Sequence, residues 1–308
     1  MMTTDSAPER PRAEVEESPN REETPRRGLA WPVDGQLYLT LDFECDYGTA
    51  LKNNTYEAVT HVDKLVGLLE RLEVPLTVFV QTALFDERPE TVEALRECGV
   101  DVRFHPHSHT HRGRDHTDET RDHDRTRQEI ETSADYYREF FGREPVGYRF
   151  PDGNILRRDY QLLVDEGFEF DASIFPSWRP GRFNNSAAST TPEYLPEMDL
   201  VEIPFTIFDD RFRVPTALSY CRLFGRPYTD MLLARPPGAV VFNIHMHDLV
   251  NPPSYEDLSR FYKAVYARNA DGFGWLERVL RAFDARGYSF ATIDHVHDLL
   301  RDRLAAER

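Results

Sequence analysis

From residue 36 onward, short apolar runs alternate with stretches of helical spacing. Residues 36–43 (QLYLTLDF) and 75–81 (PLTVFVQ) are predicted strands, the second rich in β-branched side chains. Between them, 57–72 puts Val59, Val62, Leu65, Val66, Leu69 and Leu72 on one helical face. A short helix is predicted over 89–99, stopped by Gly99, and a third strand over 100–105. Ile130, Ala134, Tyr137 and Phe141 keep helical register through 126–142. Further strands are expected at 146–150, 168–175, 200–205, 238–247 and 288–293, and helices around 159–167 and 272–287. Residues 179–199, rich in Pro, Asn and Ser, read as a long loop.

Strands alternating with helices at this spacing predict a mostly parallel sheet or a β/α barrel. In such folds functional groups gather at the C-terminal ends of strands. The polar residues that interrupt the apolar runs sit there: Asp42 and Glu44, His107, Arg149, Asp171 and His245. Residues 1–30 are polar, Pro-rich and nearly free of large apolar groups. They cannot bury enough surface to offset their ordering entropy and read as a disordered tail, leaving 31–308 as one domain.

Composition narrows the function classes. A net charge of −17 argues against nucleic-acid binding and against docking on anionic lipid. Only three of the 37 basic residues are lysines. Dense carboxylates of this kind suit a high-salt cytoplasm, and a GC-rich genome favouring Arg codons gives the same skew. Cys45, Cys98 and Cys221 are too few and too scattered for a disulfide framework, which favours a reducing compartment. Without a signal-peptide pattern or a long apolar run, a cytoplasmic location with no transmembrane segment is expected. The sequence is silent on oligomeric state.

The stretch RFHPHSHTHRG, 103–113, places His105, His107, His109 and His111 at alternating positions. On a helical turn, either the 107/111 or the 105/109 pair would share a face and could share a metal; on a strand all four would. A third ligand, often a carboxylate, is needed, and Asp42, Glu44 and Asp46 are the candidates. His116 and His123 read as surface residues.

Taken in order, five segments resemble the motifs of the NodB-homology polysaccharide deacetylases, the carbohydrate esterase family 4 type. They are LTLDFECDYG, HSHTH, GYRFPDG, FDASIFPSW and VVFNIHMHD. The resemblance spans roughly 36–295 and implies a distorted (β/α) barrel and a metal-dependent hydrolase that removes an N-acetyl group from an amino sugar. It selects His107, followed by Ser108, and His111 as ligands, with Glu44 as metal carboxylate where the family more often has Asp. It implies Asp42 as base, Arg149 as its partner, His245 as general acid with Asp171 holding it, and Pro151 and Trp178 at the sugar. His247 is a rival acid, and Phe175 a second aromatic wall. Zinc suits two histidines and a carboxylate, and cobalt or another transition metal fits the same ligands. The implied partner is an N-acetylated glycan or glycan precursor. Two other readings remain: a same-fold hydrolase acting on a ureide or imide, and a non-catalytic metal- or glycan-binding relative.

If the acidic, Lys-poor surface is a salt adaptation, the folded state is lost below molar KCl; thermal unfolding that is indifferent to salt assigns the skew to codon usage instead.

Overall fold

The computed structural model describes residues 25–111, 122–153, 155–179, 183–267 and 271–307. Its strands, in chain order, are β1 (Arg27–Gly28), β2 (Gln36–Phe43), β3 (Leu76–Val80), β4 (Val102–Pro106), β5 (Gly147–Tyr148) and β6 (Phe170–Asp171). They continue with β7 (Trp178–Arg179), β8 (Phe183–Asn184), β9 (Glu193–Leu195), β10 (Leu200–Glu202), β11 (Ala239–His245) and β12 (Ser289–Ala291). One sheet runs β11-β2-β3-β4 with β12 also on β2, every pair parallel. A second runs β1-β9-β10-β6-β5, parallel through β10, β6 and β5. The Arg149 amide donates to the Pro106 carbonyl (3.3 Å), bridging the ends of β4 and β5. The result is a curled, mostly parallel half-barrel, which fits the mostly parallel sheet or β/α barrel expected from the strand–helix alternation and the distorted barrel that the family resemblance implies.

Side-chain alternation along each strand separates two environments. On β2, Leu37, Leu39, Leu41 and Phe43 join the core beneath the helices, as do Leu76, Val78 and Val80 of β3 and Val240, Phe242 and Ile244 of β11. The intervening Tyr38, Phe79, Ala239 and Val241 form an inner core with Phe170, Val201, Ile203 and Phe205. Thr40, Asp42 and Asn243 fall on that inner side by period, and they are polar. An inward polar group above an apolar plug marks where the barrel stops being core.

Two expectations need correction. The tail is not disordered up to residue 30: Arg27–Gly28 pair antiparallel with Tyr194 and Glu193, and Arg26 bonds Glu193 at 2.8 Å. Residues 1–24 lie outside the described ones. The 179–199 segment is not one long loop either: it carries the β7–β8 hairpin and β9, which pairs with β10. Short strands in polar sequence have too few positions for a periodic signal. The helix expected over 57–72 opens as a 3-10 turn, Ala58–His61, before Val62–Leu72 becomes α-helical.

Gly272 opens the helix Gly272–Asp284 against the turn that follows β11. A Cβ there would lie 2.2 Å from the Asp248 carbonyl oxygen and 2.3 Å from Leu249 Cα. Backbone cannot yield as a side-chain tip can, so Gly272→Ala is expected to cost about 1–3 kcal/mol and lower the melting temperature. An unchanged melting curve would disprove this close approach.

Candidate active site

Asp42, next to last on β2, lies directly beside His245, its register partner on β11, while Thr40 sits beside Asn243. Arg149, in the loop after β5, reaches across from the opposite wall. Its Nη1 donates to Asp42 Oδ1 at 2.7 Å, Asn243 Oδ1 at 3.0 Å and Thr40 Oγ1 at 3.1 Å. Its Nε donates to the Ala172 carbonyl at 2.8 Å. Asn243 Nδ2 holds the other oxygen, Asp42 Oδ2, at 3.0 Å. The guanidinium lies between two rings, its Cζ 3.8 Å from the Phe79 centroid and 4.3 Å from that of Phe205. Burial pushes the Asp42 carboxyl up, but Arg149 above all, with His107 and His245, holds it well below the usual carboxylate range.

Glu44, two residues on and facing the same side, meets the histidine segment. The His111 Nε2 lies 2.6 Å and the His107 Nε2 3.1 Å from Glu44 Oε2. All three residues are buried, and one ligand atom from each lies within 4.8 Å of the others. His107 Nδ1 donates to the Arg149 carbonyl at 2.8 Å, which fixes the tautomer and turns Nε2 inward, as a metal-ligating histidine requires. This donor set fits a divalent cation. Beyond Pro106, where β4 ends, the described part of the segment is neither helix nor strand: Ser108 (φ 60°) and His111 (φ 59°) take left-handed turns. The turn separates the four histidines. His105 is tied to Asp294 (3.1 Å) and the Gly147 amide, and His109 to Thr82 Oγ1 (3.1 Å). Asp46 is committed elsewhere, accepting from the Glu57 and Ala58 amides and the Thr55 and Ser254 hydroxyls. His116 lies outside the described residues.

His245 presents Nε2 to Asp42 Oδ2 at 3.4 Å, and its side chain is 23% exposed. Its Nδ1 bonds Asp248 Oδ2 at 2.9 Å, with the His245 amide donating to the same oxygen at 3.1 Å. The expectation that Asp171 holds His245 is therefore corrected: Asp248 does. Asp171 instead accepts from the Ser173 hydroxyl (2.7 Å) and amide (3.0 Å), and burial raises both it and the neighbouring Glu202. Asp171 ends a strand on the far sheet, whereas Asp248 sits one helical turn after His245. Burial pushes His245 down, but its bonds to Asp248 and Asp42 outweigh this and raise it well above the ordinary histidine value. His247 is buried and stacked on His245 at 4.8 Å, its Nδ1 accepting from the Tyr47 amide (3.1 Å).

Asp42, Glu44, His107, His111 and His245 floor a cleft that also exposes Phe150, Asp152, Gly153, Phe175, Arg179, Ser219 and Tyr220. Trp178 is not among its walls: it is 66% exposed, because neighbours on the β7–β8 hairpin face opposite sides and Arg179 takes the inward one. Pro151 is buried behind its neighbours and does not line the cleft either.

A model of the polysaccharide deacetylase family matches residues 36–170. Over this span, less than half of the chain, the sequence is similar to the polysaccharide deacetylase family. The match holds Asp42, Glu44, His107, His111 and Arg149; Asp171, Trp178 and His245 lie beyond it. Among solved structures, the chain resembles a putative polysaccharide deacetylase from Mycobacterium smegmatis, at 19% identity over 92% of this chain and 96% of that one, TM-score 0.55. A probable polysaccharide deacetylase from Pseudomonas aeruginosa follows at 19% identity over 86% and 90%, TM-score 0.54. A carbohydrate esterase family 4 pseudoenzyme from Bacillus anthracis aligns at 11% identity over 87% and 67%, TM-score 0.51. At these identities the likeness speaks to the deacetylase fold alone. No curated protein matches the chain.

Three residues of this site are missed by reading the sequence alone. Asn243 and Thr40 carry a usable signal, since each lies two residues before a site residue on its strand. Asp248 falls three residues after His245, a spacing that suits a strand running straight into a helix. The full chain is expected to bind about one equivalent of zinc or cobalt by elemental analysis, lost in the His107→Ala/His111→Ala double variant and kept in His109→Ala. Metal retained by the double variant would refute the assignment.

Proposed function

We propose that this chain is a metal-dependent hydrolase that releases acetate from an N-acetylated amino sugar of a glycan or glycan precursor. One observation carries the reading. An ionised, buried Asp42 and the Nε2 of His245 face each other at 3.4 Å on one cleft floor, beside the Glu44–His107–His111 cluster. A divalent cation held there, zinc by the chemistry of the ligands, would polarise the acetyl carbonyl and lower the pKa of a water.

The chain's own groups account for the proton movements. Asp42, kept ionised by Arg149 and Asn243, accepts a proton from the water as its oxygen attacks the acetyl carbon. The new C–O bond forms as the carbonyl π pair moves onto oxygen. When that pair returns, the C–N bond breaks, and His245 gives the nitrogen its proton from Nε2. Acetate and a free amine result. Asp248 keeps the Nδ1 proton in place, so the tautomer and ring plane of His245 do not drift. Phe175, stacked on Phe205 at 3.6 Å, offers an aromatic wall to the sugar ring.

Asp42→Asn and His245→Gln are each expected to cut acetate release from acetylated chito-oligomers by about 10²–10⁴-fold without loss of bound metal. Asp248→Asn is expected to lower kcat more than KM, and more than Asp171→Asn does. Full activity in Asp42→Asn would sink the base assignment. Metal binding with no acetate release from any acetylated sugar would favour the binding-protein reading.

A further inference from the structure

The mouth of the cleft holds a cation that the proposed chemistry does not use. Arg179 faces inward from the β7–β8 hairpin. Among the described residues it has no ion-pair or hydrogen-bond partner. The other cleft charges are committed: Arg149 to Asp42, Glu44 to the two histidines, and Asp152 to the Thr49 hydroxyl at 3.2 Å. Ser219 and Tyr220, at the start of the helix Leu218–Phe224, line the same cleft, and their hydroxyls are likewise unpartnered among the described residues. Arg179 is close enough to act on the Tyr220 phenol: burial raises that group, and the guanidinium opposes the rise. One wall of the mouth therefore presents a guanidinium and two hydroxyls that none of the described residues employs.

An N-acetylated sugar without further substituents is neutral, and its hydroxyls give a guanidinium little that water does not. A forked, permanently charged donor gains most from a carboxylate or phosphate, which it can grip with two parallel hydrogen bonds. The surroundings sharpen the point. The chain carries a net charge of −17 and the cleft itself three carboxylates, Asp42, Glu44 and Asp152. The acidic exterior opposes the approach of an anionic substrate, and a countercharge at the mouth offsets this before the substrate reaches the floor. A neutral substrate would need no such residue.

We propose that Arg179, assisted by Ser219 and Tyr220, receives an anionic substituent, carboxylate or phosphate, on the sugar whose acetamide reaches Asp42 and His245 or on its immediate neighbour. This rests on the deacetylase reading and narrows it to acidic or phosphorylated amino-sugar substrates.

The metal-loaded full chain tests this with three probes: neutral diacetylchitobiose, an N-acetylglucosamine–glucuronate disaccharide and UDP-N-acetylglucosamine. At least one anionic probe is expected to exceed the neutral one in kcat/KM by tenfold or more, and which one does so separates carboxylate from phosphate. Arg179→Gln should reduce that anionic-to-neutral preference about tenfold, through KM rather than kcat, and Arg179→Lys should restore part of it. A neutral probe that is preferred, or a preference unmoved by Arg179→Gln, overturns the proposal. Calorimetric binding of the same probes to wild type and Arg179→Gln reads the subsite without turnover. Tighter binding of an anionic probe that the variant loses supports the subsite even if no acetate is released, which would count against the deacetylase reading alone. Equal binding of all three probes to both proteins overturns the subsite.

Discussion

A guanidinium buried at the centre of a barrel is the constraint around which the site is organised. Arg149 is 1% exposed and caught between the rings of Phe79 and Phe205. A charge so placed survives only with a partner and with its hydrogen bonds directed, since removing one member of such a pair costs about 3–5 kcal/mol. Asp42 is that partner; Thr40 and Asn243 share the same Nη1, the Ala172 carbonyl takes Nε, and Nη2 is left without a hydrogen-bond partner among the described residues. These groups come from β2, β11 and the segment after β6. Shifting β2 would leave the cation unpaired and shifting β11 would remove the Asn243 contact, so the ion pair also fixes how the sheets meet. The same contacts hold the Asp42 carboxylate ionised and aimed at the cleft.

The Glu44–His107–His111 cluster hangs on this arrangement through the backbone. The Arg149 carbonyl receives the Nδ1 proton of His107, so the residue that keeps Asp42 ionised also orients a histidine of that cluster. Glu44 follows Asp42 by two residues and inherits its side of the strand. His111 is brought back by a turn in which the Ser108 hydroxyl accepts from the His111 amide at 3.1 Å. The Ser after the first histidine therefore acts structurally. It folds the loop so that His107 and His111 meet while His105 and His109 go to Asp294 and Thr82. Spacing alone could not separate the two pairs, because the segment follows neither a 3.6 nor a 2.0 period.

Legibility in the sequence follows periodicity. Long runs such as Gln36–Phe43 are readable to the residue, and the strand ends they define locate Asp42, Glu44 and His245. Two-residue strands such as Trp178–Arg179 have no period to read, and the aromatic expected at the sugar faces solvent while its neighbour faces in. Motif order points to Asp171, and motif order does not report distance. What decides the partner of His245 is that β11 runs directly into the helix Met246–Leu249, which swings Asp248 back under the imidazole. That junction depends on Gly272 letting another helix approach the Asp248 backbone, a contact of two segments far apart in sequence.

Stability alone gives no reason for this floor. Asp42, Glu44, His107, His111, Arg149 and Asp248 are all buried, and well-packed apolar residues in place of a buried ion pair are often neutral or stabilising by about 1–4 kcal/mol. The layer just below shows the alternative in the same barrel, where Tyr38, Phe79, Val241 and Phe205 pack as ordinary core. The switch from apolar plug to polar floor occurs within two residues on β2 and on β11, at the ends of the strands that open into the cleft. His245 then stands between two carboxylates, Asp248 on Nδ1 and Asp42 near Nε2, with only the second of these facing the cleft. A substrate nitrogen that came between His245 and Asp42 would take over the Nε2 contact and leave Asp248 holding the ring. A pair of groups poised to exchange a partner in this way is what proton delivery to a departing amine requires, and packing alone has no use for it.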